Sequence, residues 1–430
     1  GTMSGGGIVT ETENTESREK TESEREALQL YAQSAVLLDA DSGRVLYEKN
    51  GFTPMAMAST TKIMTCIIVL ENGDLNDKAQ VSSYAASMPK VKLYVKKGEE
   101  YSVRSLLFSL MLESHNDSAV VLAEYIGSRY LQEELLDKPV SEYTTEESKK
   151  AVKAFAGLMN QKAAEIGCTG TWFITPNGLD AEETVQTEAG EWVKREHSTT
   201  AEDLAKIMAY CVKRSPGRDV FREVTATESY SFYENGRNFT CVNHNAFLNM
   251  MDGAFSGKTG FTNKAGYCYV GALEDEGRTF IVALLACGWP NNKTYKWKDA
   301  SVLMRYGLEN YEYREIGNGA NAFDENLLKP VMVAGGQTDR LGETARIRLR
   351  LEKKSETVKL LMRKDEEVEL EYQWGISLNA PVEPGTPVGY VTYTVGGIPY
   401  LEQTIVTQSG LAQIDLPWCM ARIWERFLIN

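Results

Sequence analysis

The sequence predicts an α+β protein, with a larger part in which helices sit between strands from distant stretches of chain and a smaller all-β part closed by an amphipathic helix. Three observations predict it. Short apolar runs at Ser34–Asp39, Arg44–Glu48, Gly266–Ala272 and Thr279–Ala286 bracket a long region with helical periodicity. Beyond Tyr313, Arg346–Leu351 and Val368–Tyr372 alternate strictly between apolar and polar residues, the pattern of strands with one wet face. Leu416, Met420, Ile423, Trp424 and Phe427 then recur on one helical face.

Taken in order, 1–28 reads as a flexible leader, because Thr10 to Glu26 is almost wholly Glu, Thr, Ser, Lys and Arg and cannot bury enough apolar surface to offset ordering. The first two strands form a hairpin around Ala40-Asp41-Ser42-Gly43. A buried helix starts near Ser59, with Ile63, Ile67 and Leu70 inward and Asn72-Gly73 as its stop. Val103, Leu106, Leu107, Leu110 and Met111 define a second helix ending near Ser114, and Ala119–Gly127 a third. Lys138–Lys150 reads as a charged surface insertion before a helix Phe155–Ile166, and Ala181–Glu196 as a polar segment. A helix over Ala201–Val212, the two late strands and a helix over Trp297–Asn310 complete a domain spanning 29–315. A small β sandwich over 316–415 follows, turning at Gly335-Gly336, Pro384-Gly385 and Gly396-Gly397, and 416–430 is the amphipathic helix, opened by Asp415 and Pro417.

Composition excludes several classes. The 46 basic residues are outnumbered by 60 acidic ones and form no stripe, which argues against a nucleic-acid partner. No apolar run approaches the roughly 20 residues of a membrane span. The 7 cysteines include no C-x-x-C, and the 3 histidines include no H-E-x-x-H, so neither a disulfide framework nor a metal site is indicated and no cofactor is expected. Residues 1–7 read as an expression remnant, and no secretory signal follows them.

Chemistry is suggested by three motifs in one order. Ser59-x-x-Lys62 sets a hydroxyl and an amine on one face of a helix start. Ser114-x-Asn116 lies at a helix–helix junction, and Lys258-Thr259-Gly260 precedes a strand pair. Alone, each of the first two recurs by chance: Ser17/Lys20 and Ser87/Lys90 repeat the first spacing, and Ser377/Asn379 the second. Isolated, Ser59 would read as a cap, Lys62 as a solvated charge, and Ser114 to Asp117 as an N-cap. A phosphate-loop reading of Lys258-Thr259 fails because Asp252 stands where that pattern needs glycine.

The ordered triple is the signature shared by penicillin-binding proteins and class A β-lactamases. Ala58–Thr65, Ser114–Asp117 and Lys258–Thr262 resemble in particular the low-molecular-mass D-alanyl-D-alanine carboxypeptidases, and Pro176–Asp180 and His197–Thr200 agree. The resemblance implies a serine β-lactamase/DD-peptidase-like fold and acyl transfer from peptidoglycan stem peptides ending in D-Ala-D-Ala, with β-lactam antibiotics as mimics. It implies Ser59 as nucleophile, Lys62 as base, Ser114 as proton relay and Asn116 as a contact to the substrate backbone. Lys258 and Thr259 would receive the terminal carboxylate, Gly260 would keep the strand edge open, and the backbone N–H groups of Ser59 and Phe261 would form the oxyanion hole. It also implies an extracytoplasmic enzyme, peripheral on the outer face of the cytoplasmic membrane and touching its surface through the terminal helix.

The chain departs from the family pattern at His115, where glycine is usual, and at Asn177, where histidine is common. Two other functions share the triple. A β-lactamase needs an E-x-x-L-N deacylating loop, which neither Leu248-Asn249 nor Leu378-Asn379 supplies. A non-catalytic penicillin-binding sensor or wall-binding module would be acylated without releasing D-alanine.

Overall fold

The computed structural model describes residues 6–8, 28–353 and 356–429. Two compact units emerge, Arg25–Tyr311 and Glu312–Asn430, the second also including the strand Gly6–Ile8.

The first unit is built on an antiparallel sheet of β1 (Ser34–Asp39), β2 (Val45–Lys49), β3 (Ala254–Thr262), β4 (Gly266–Asp275) and β5 (Arg278–Leu285), in the order β3-β4-β5-β1-β2. β1 and β5 are buried along their whole length, which suits strands covered on both faces. Alternation then divides the faces: Val36 and Leu38 join the main core, while Leu37 and Phe280 meet Gly307 on the opposite side. Helices α1 (Lys62–Asn72), α2 (Asn116–Gly127), α3 (Thr145–Ile166) and α4 (Ala201–Lys213) gather on the first face, and α5 (Tyr295–Asn310) covers the second. The sheet therefore joins chain segments more than 200 residues apart, with Val282 opposite Leu37. Its edge strand β3 faces the start of α1.

Two segments differ from the sequence expectation. α3 begins at Thr145 rather than Phe155, nucleated by a capping box between Thr144 and Glu147. Ser148 and Ala151 already face inward, so the charged run from Thr145 onward belongs to the helix, while Lys138–Thr144 leads into it through a 3₁₀ turn at Val140–Glu142. The polar stretch after Ala181 is a hairpin, Glu182–Gln186 paired with Trp192–Glu196.

The second unit is β-rich around an apolar core that includes Ile316, Leu360, Val391 and Ile405. Strand Gly6–Ile8, β6 (Leu349–Leu351), β7 (Glu369–Trp374), β8 (Pro387–Val395) and β9 (Ile398–Thr407) form a sheet in the order Gly6–Ile8, β7, β8, β9, β6. Part of the expected leader is thus a strand, since the edge of β7 offers backbone groups to any extended segment. The expected flexible run Thr10 to Glu26 lies outside the described residues. Arg346–Leu351, which alternates without a break in sequence, is divided between two sheets: Ile347 pairs with Val331, and Leu349 with Thr407.

Helix α6 (Leu416–Leu428) carries the expected cap, the Asp415 carboxylate accepting from Trp418 N–H at 2.8 Å. None of its residues is buried, and Leu416, Trp424 and Phe427 are 73, 67 and 77% exposed.

Candidate active site

Three local conformations bring the motifs together. Ser59 lies in a 3₁₀ turn, Ala58–Thr61, that feeds α1, and Lys62 is the first residue of that helix. Val103–Phe108 continues into a π-turn, Ser109–Glu113, which ends at Ser114 in the left-handed region with φ 63° and ψ 37°. A non-glycine residue held there stores strain, and π-turns recur where a side chain must be aimed. Asn116 opens α2 immediately afterwards.

The Lys62 amine is the hub. Its Nζ stands 2.8 Å from Ser59 Oγ, 3.0 Å from Ser114 Oγ and 3.0 Å from Asn116 Oδ1. The side chain is fully buried, and burial holds its pKa well below the usual lysine value. Repulsion from Lys258 adds to the lowering, and Asp117 opposes it. A neutral amine has a lone pair, which an ammonium lacks, so this lysine can take the proton of an adjoining hydroxyl.

β3 supplies the other wall. Lys258 is buried, and desolvation pushes its pKa down to about 7; its Nζ donates to Thr259 O at 2.8 Å. Gly260 runs so close to the 3₁₀ turn that a Cβ there would stand 2.6 Å from Ser59 N, which requires glycine. β3 is a sheet edge, so backbone groups of Thr259 to Phe261 are available to an extended ligand. The cleft between the walls holds about 600 Å³ and is lined by Ser59, Ser114, Asn116, Thr259, Gly260 and Phe261 among others, with Lys62 and Lys258 behind its surface. All eight residues singled out in the sequence thus converge. The chance matches stand apart: Ser377–Asn379 is a strand of the second unit, and Ser87 ends a four-residue helix.

Sequence reasoning missed the residues that hold this arrangement. Asp117 is buried and accepts from Leu93 N–H at 2.8 Å and Val95 N–H at 3.1 Å, fixing the loop beside Asn116. His197 accepts at Nδ1 from Ile174 N–H, 2.9 Å away, so its Nε2 carries the proton and donates to Thr61 Oγ1 at 2.8 Å. Burial pulls its pKa down to about 3, and it stays neutral. Thr65 Oγ1 donates to Pro176 O, tying the same segment to α1, and a Cβ on Gly178 would lie 2.0 Å from Ala58 O. His115 reaches Ser109 Oγ at 2.7 Å, with Ser118 beyond it, and burial lowers its pKa to about 4. It braces the π-turn from outside the reacting atoms.

A serine, a buried lysine of lowered pKa and an open sheet edge on this scaffold define a serine-type acyl hydrolase. The profile of the D-alanyl-D-alanine carboxypeptidase peptidases matches residues 19–132 and 146–287, more than half of the chain. The chain belongs to that family and is a serine-type carboxypeptidase. It is 26% identical over 409 residues to the D-alanyl-D-alanine carboxypeptidase DacF of Bacillus subtilis, covering 92% of this chain and 90% of that one. To DacB2 of Mycobacterium tuberculosis it is 30% identical over 289 residues, 67% of this chain and 86% of the relative. Among solved structures, the carboxypeptidase DacD of Francisella tularensis superposes with a TM-score of 0.58 at 25% identity, over 90% of this chain and 95% of that one. Penicillin binding protein 5 of Haemophilus influenzae gives 0.61 at 21% identity, over 90% and 99%, a likeness of fold.

Proposed function

We propose that this carboxypeptidase removes the terminal D-alanine from peptidoglycan stem peptides through an acyl-enzyme on Ser59. The observation that carries the reading is the buried Lys62 amine within hydrogen-bond reach of both Ser59 and Ser114. Lys62 takes the hydroxyl proton, and Ser59 Oγ bonds to the carbonyl carbon of the penultimate D-alanine. The N–H groups of Ser59 and Phe261 receive the developing oxyanion. Collapse breaks the C–N bond, and the proton passes through Ser114 to the departing amine, which leaves as free D-alanine. Water then cleaves the ester. Asn116 orients the substrate amide, Thr259 and the Lys258 cation take the terminal carboxylate, and a penicillin enters by the same route.

The enzyme works outside the cytoplasmic membrane, held on its outer face by α6, where trimming of wall peptides bears on cell shape. The exposed apolar stripe of α6 supports this placement, with Trp424 and Phe427 suited to the headgroup boundary and Arg422 and Arg426 to anionic lipid. Among the described residues no helix is long and apolar enough to cross a membrane, and α6 itself, at 13 residues, is too short to span a hydrocarbon core of roughly 30 Å. The test of the reaction is release of D-alanine from diacetyl-L-Lys-D-Ala-D-Ala, together with a benzylpenicillin adduct on Ser59 seen by intact-protein mass spectrometry. An adduct without D-alanine release would favour a sensor; rapid penicillin turnover without an adduct would favour a β-lactamase.

A further inference from the structure

A second groove, of about 960 Å³, lies beside the catalytic cleft between α3 and the first strand of the hairpin, Glu182–Gln186. Two segments run from one into the other. Met88 and Pro89 line the groove where Lys90 and Val91 line the cleft, and Asn177 and Leu179 line both. At the neck, Asn177 Nδ2 sits 3.7 Å from Met88 Sδ and 3.5 Å from Asn116 O, so the boundary is made by a residue touching the catalytic helix start.

The groove has a mixed chemistry. Apolar side chains such as Val120, Ala156 and Phe173 floor it, while Lys149 and Lys153 on α3 and Asp180, Glu182 and Glu183 also line it. Trp172 is held as a fixed platform, its indole N–H donating to Glu183 Oε1 at 2.9 Å and the Arg195 guanidinium 5.4 Å over its ring. Gly157 lines the groove from the interior of α3, a 22-residue helix in which glycine is the least favourable residue after proline. Packing does not require it, because a Cβ there would meet nothing within 4 Å. A larger side chain at that position would project into the groove.

We propose that this groove is a subsite for the part of the substrate preceding D-Ala-D-Ala, a peptide bearing both carboxylate and ammonium groups. The inference rests on the carboxypeptidase reading above, since its occupant is the rest of the chain whose end lies in the cleft. Lining charges of both signs complement such a peptide, whereas a polyanion would meet the acids and a lipid chain would meet the lysines. Asn177 and Leu179 form the shared wall of the two spaces, so an extended ligand whose end lies in the cleft reaches the groove by passing over that wall.

The experiment compares kcat/KM for D-alanine release from N-acetyl-D-Ala-D-Ala, which carries no residue before the D-Ala pair, and from a purified disaccharide pentapeptide. The wild-type protein is expected to favour the longer substrate by about tenfold or more. Gly157→Trp, and separately the double charge reversal Lys149→Glu with Lys153→Glu, should remove that preference. Both should leave hydrolysis of the short peptide and the benzylpenicillin acylation rate unchanged. Equal kcat/KM for the two substrates in the wild type would overturn the subsite, as would a preference surviving both changes or a parallel loss on both substrates. No turnover of either substrate would overturn the carboxypeptidase reading itself, and the subsite with it.

Discussion

The unit Arg25–Tyr311 takes ionisable side chains into its interior, and the unit Glu312–Asn430 largely keeps them out. Lys62, Lys258, Asp117, His197 and Glu124 are all at or near zero exposure in the first; in the second, among the described residues, Arg363 is the one buried Lys, Arg, His, Asp or Glu. Burying a charge is expensive, and the cost is reduced when the group gives up its charge or finds hydrogen bonds. In the first unit both occur: Lys62 has a lowered pKa, Lys258 donates to Thr259 O, and Asp117 is met by backbone N–H groups. The second unit has an apolar core and puts its unusual surface outside, on α6. Interior polarity therefore marks the unit that carries the candidate active site.

The sharpest way to break this comparison is to remove the hub. Lys62→Ala should slow acylation by benzylpenicillin and by peptide by about 10²- to 10⁴-fold, the range for loss of a general base, with circular dichroism unchanged. Acylation at the normal rate would show that the buried amine serves packing alone. Next in size, Lys258→Met should lower kcat/KM for the peptide by on the order of tenfold or more, through loss of the cation facing the carboxylate. It should also move the pH profile. With the repelling charge gone, protonated Lys62 is less disfavoured, its pKa rises, and the acid limb of acylation shifts to higher pH. An unmoved limb would mean that the two lysines do not sense each other.

The three motifs and the α+β division were legible because acyl transfer needs fixed residue types at fixed spacing and because periodicity reports burial. The supports were not. Asp117 and His197 act on backbone N–H groups of Leu93, Val95 and Ile174, which have no side-chain signature to match against. Nothing in Ser109–Glu113 marks a π-turn, and Ser114 adopts a left-handed conformation that a sequence reader would assign to glycine. The early start of α3 was hidden by its charged outer face, and the change of sheet at Arg348 by an alternation that runs through it unbroken.

A smaller effect sharpens the interior side of the comparison. Glu124, on α2, is buried against Ser82, and desolvation raises its pKa to about 7. Its folded pKa lies above the unfolded one, so the native state holds the proton more tightly. Stability from this group is complete below the unfolded carboxyl range, falls as pH rises towards 7 and levels off above it. Glu124→Gln, which mimics the protonated form, should match the wild type near pH 4 and exceed it at pH 8 by about 2–3 kcal/mol in urea unfolding. D-alanine release should change by less than about twofold, since Glu124 lies outside the cleft lining. A pH-independent difference between the two proteins would refute the buried-carboxyl assignment.

The least expected effect on chemistry belongs to α6. A protein ending at Asp415 should release D-alanine from a soluble peptide with the wild-type kcat and KM, because every residue of the catalytic cleft lies in the other unit. It should also keep its unfolding midpoint, since α6 contributes no buried residue to the core of the second unit. What should disappear is flotation with anionic liposomes. Without α6 the surface loses Leu416, Met420, Trp424, Phe427 and Leu428, which are between 60 and 77% exposed, together with exposed Arg426 and the half-buried Arg422 that pairs with Glu425. Raising the salt concentration should weaken binding of the full chain in part and leave an apolar remainder, because screening acts on the arginines and not on the ring contacts. Equal flotation of the two proteins would assign the helix another partner, and a fall in the unfolding midpoint on truncation would return it to the β-rich unit as packing.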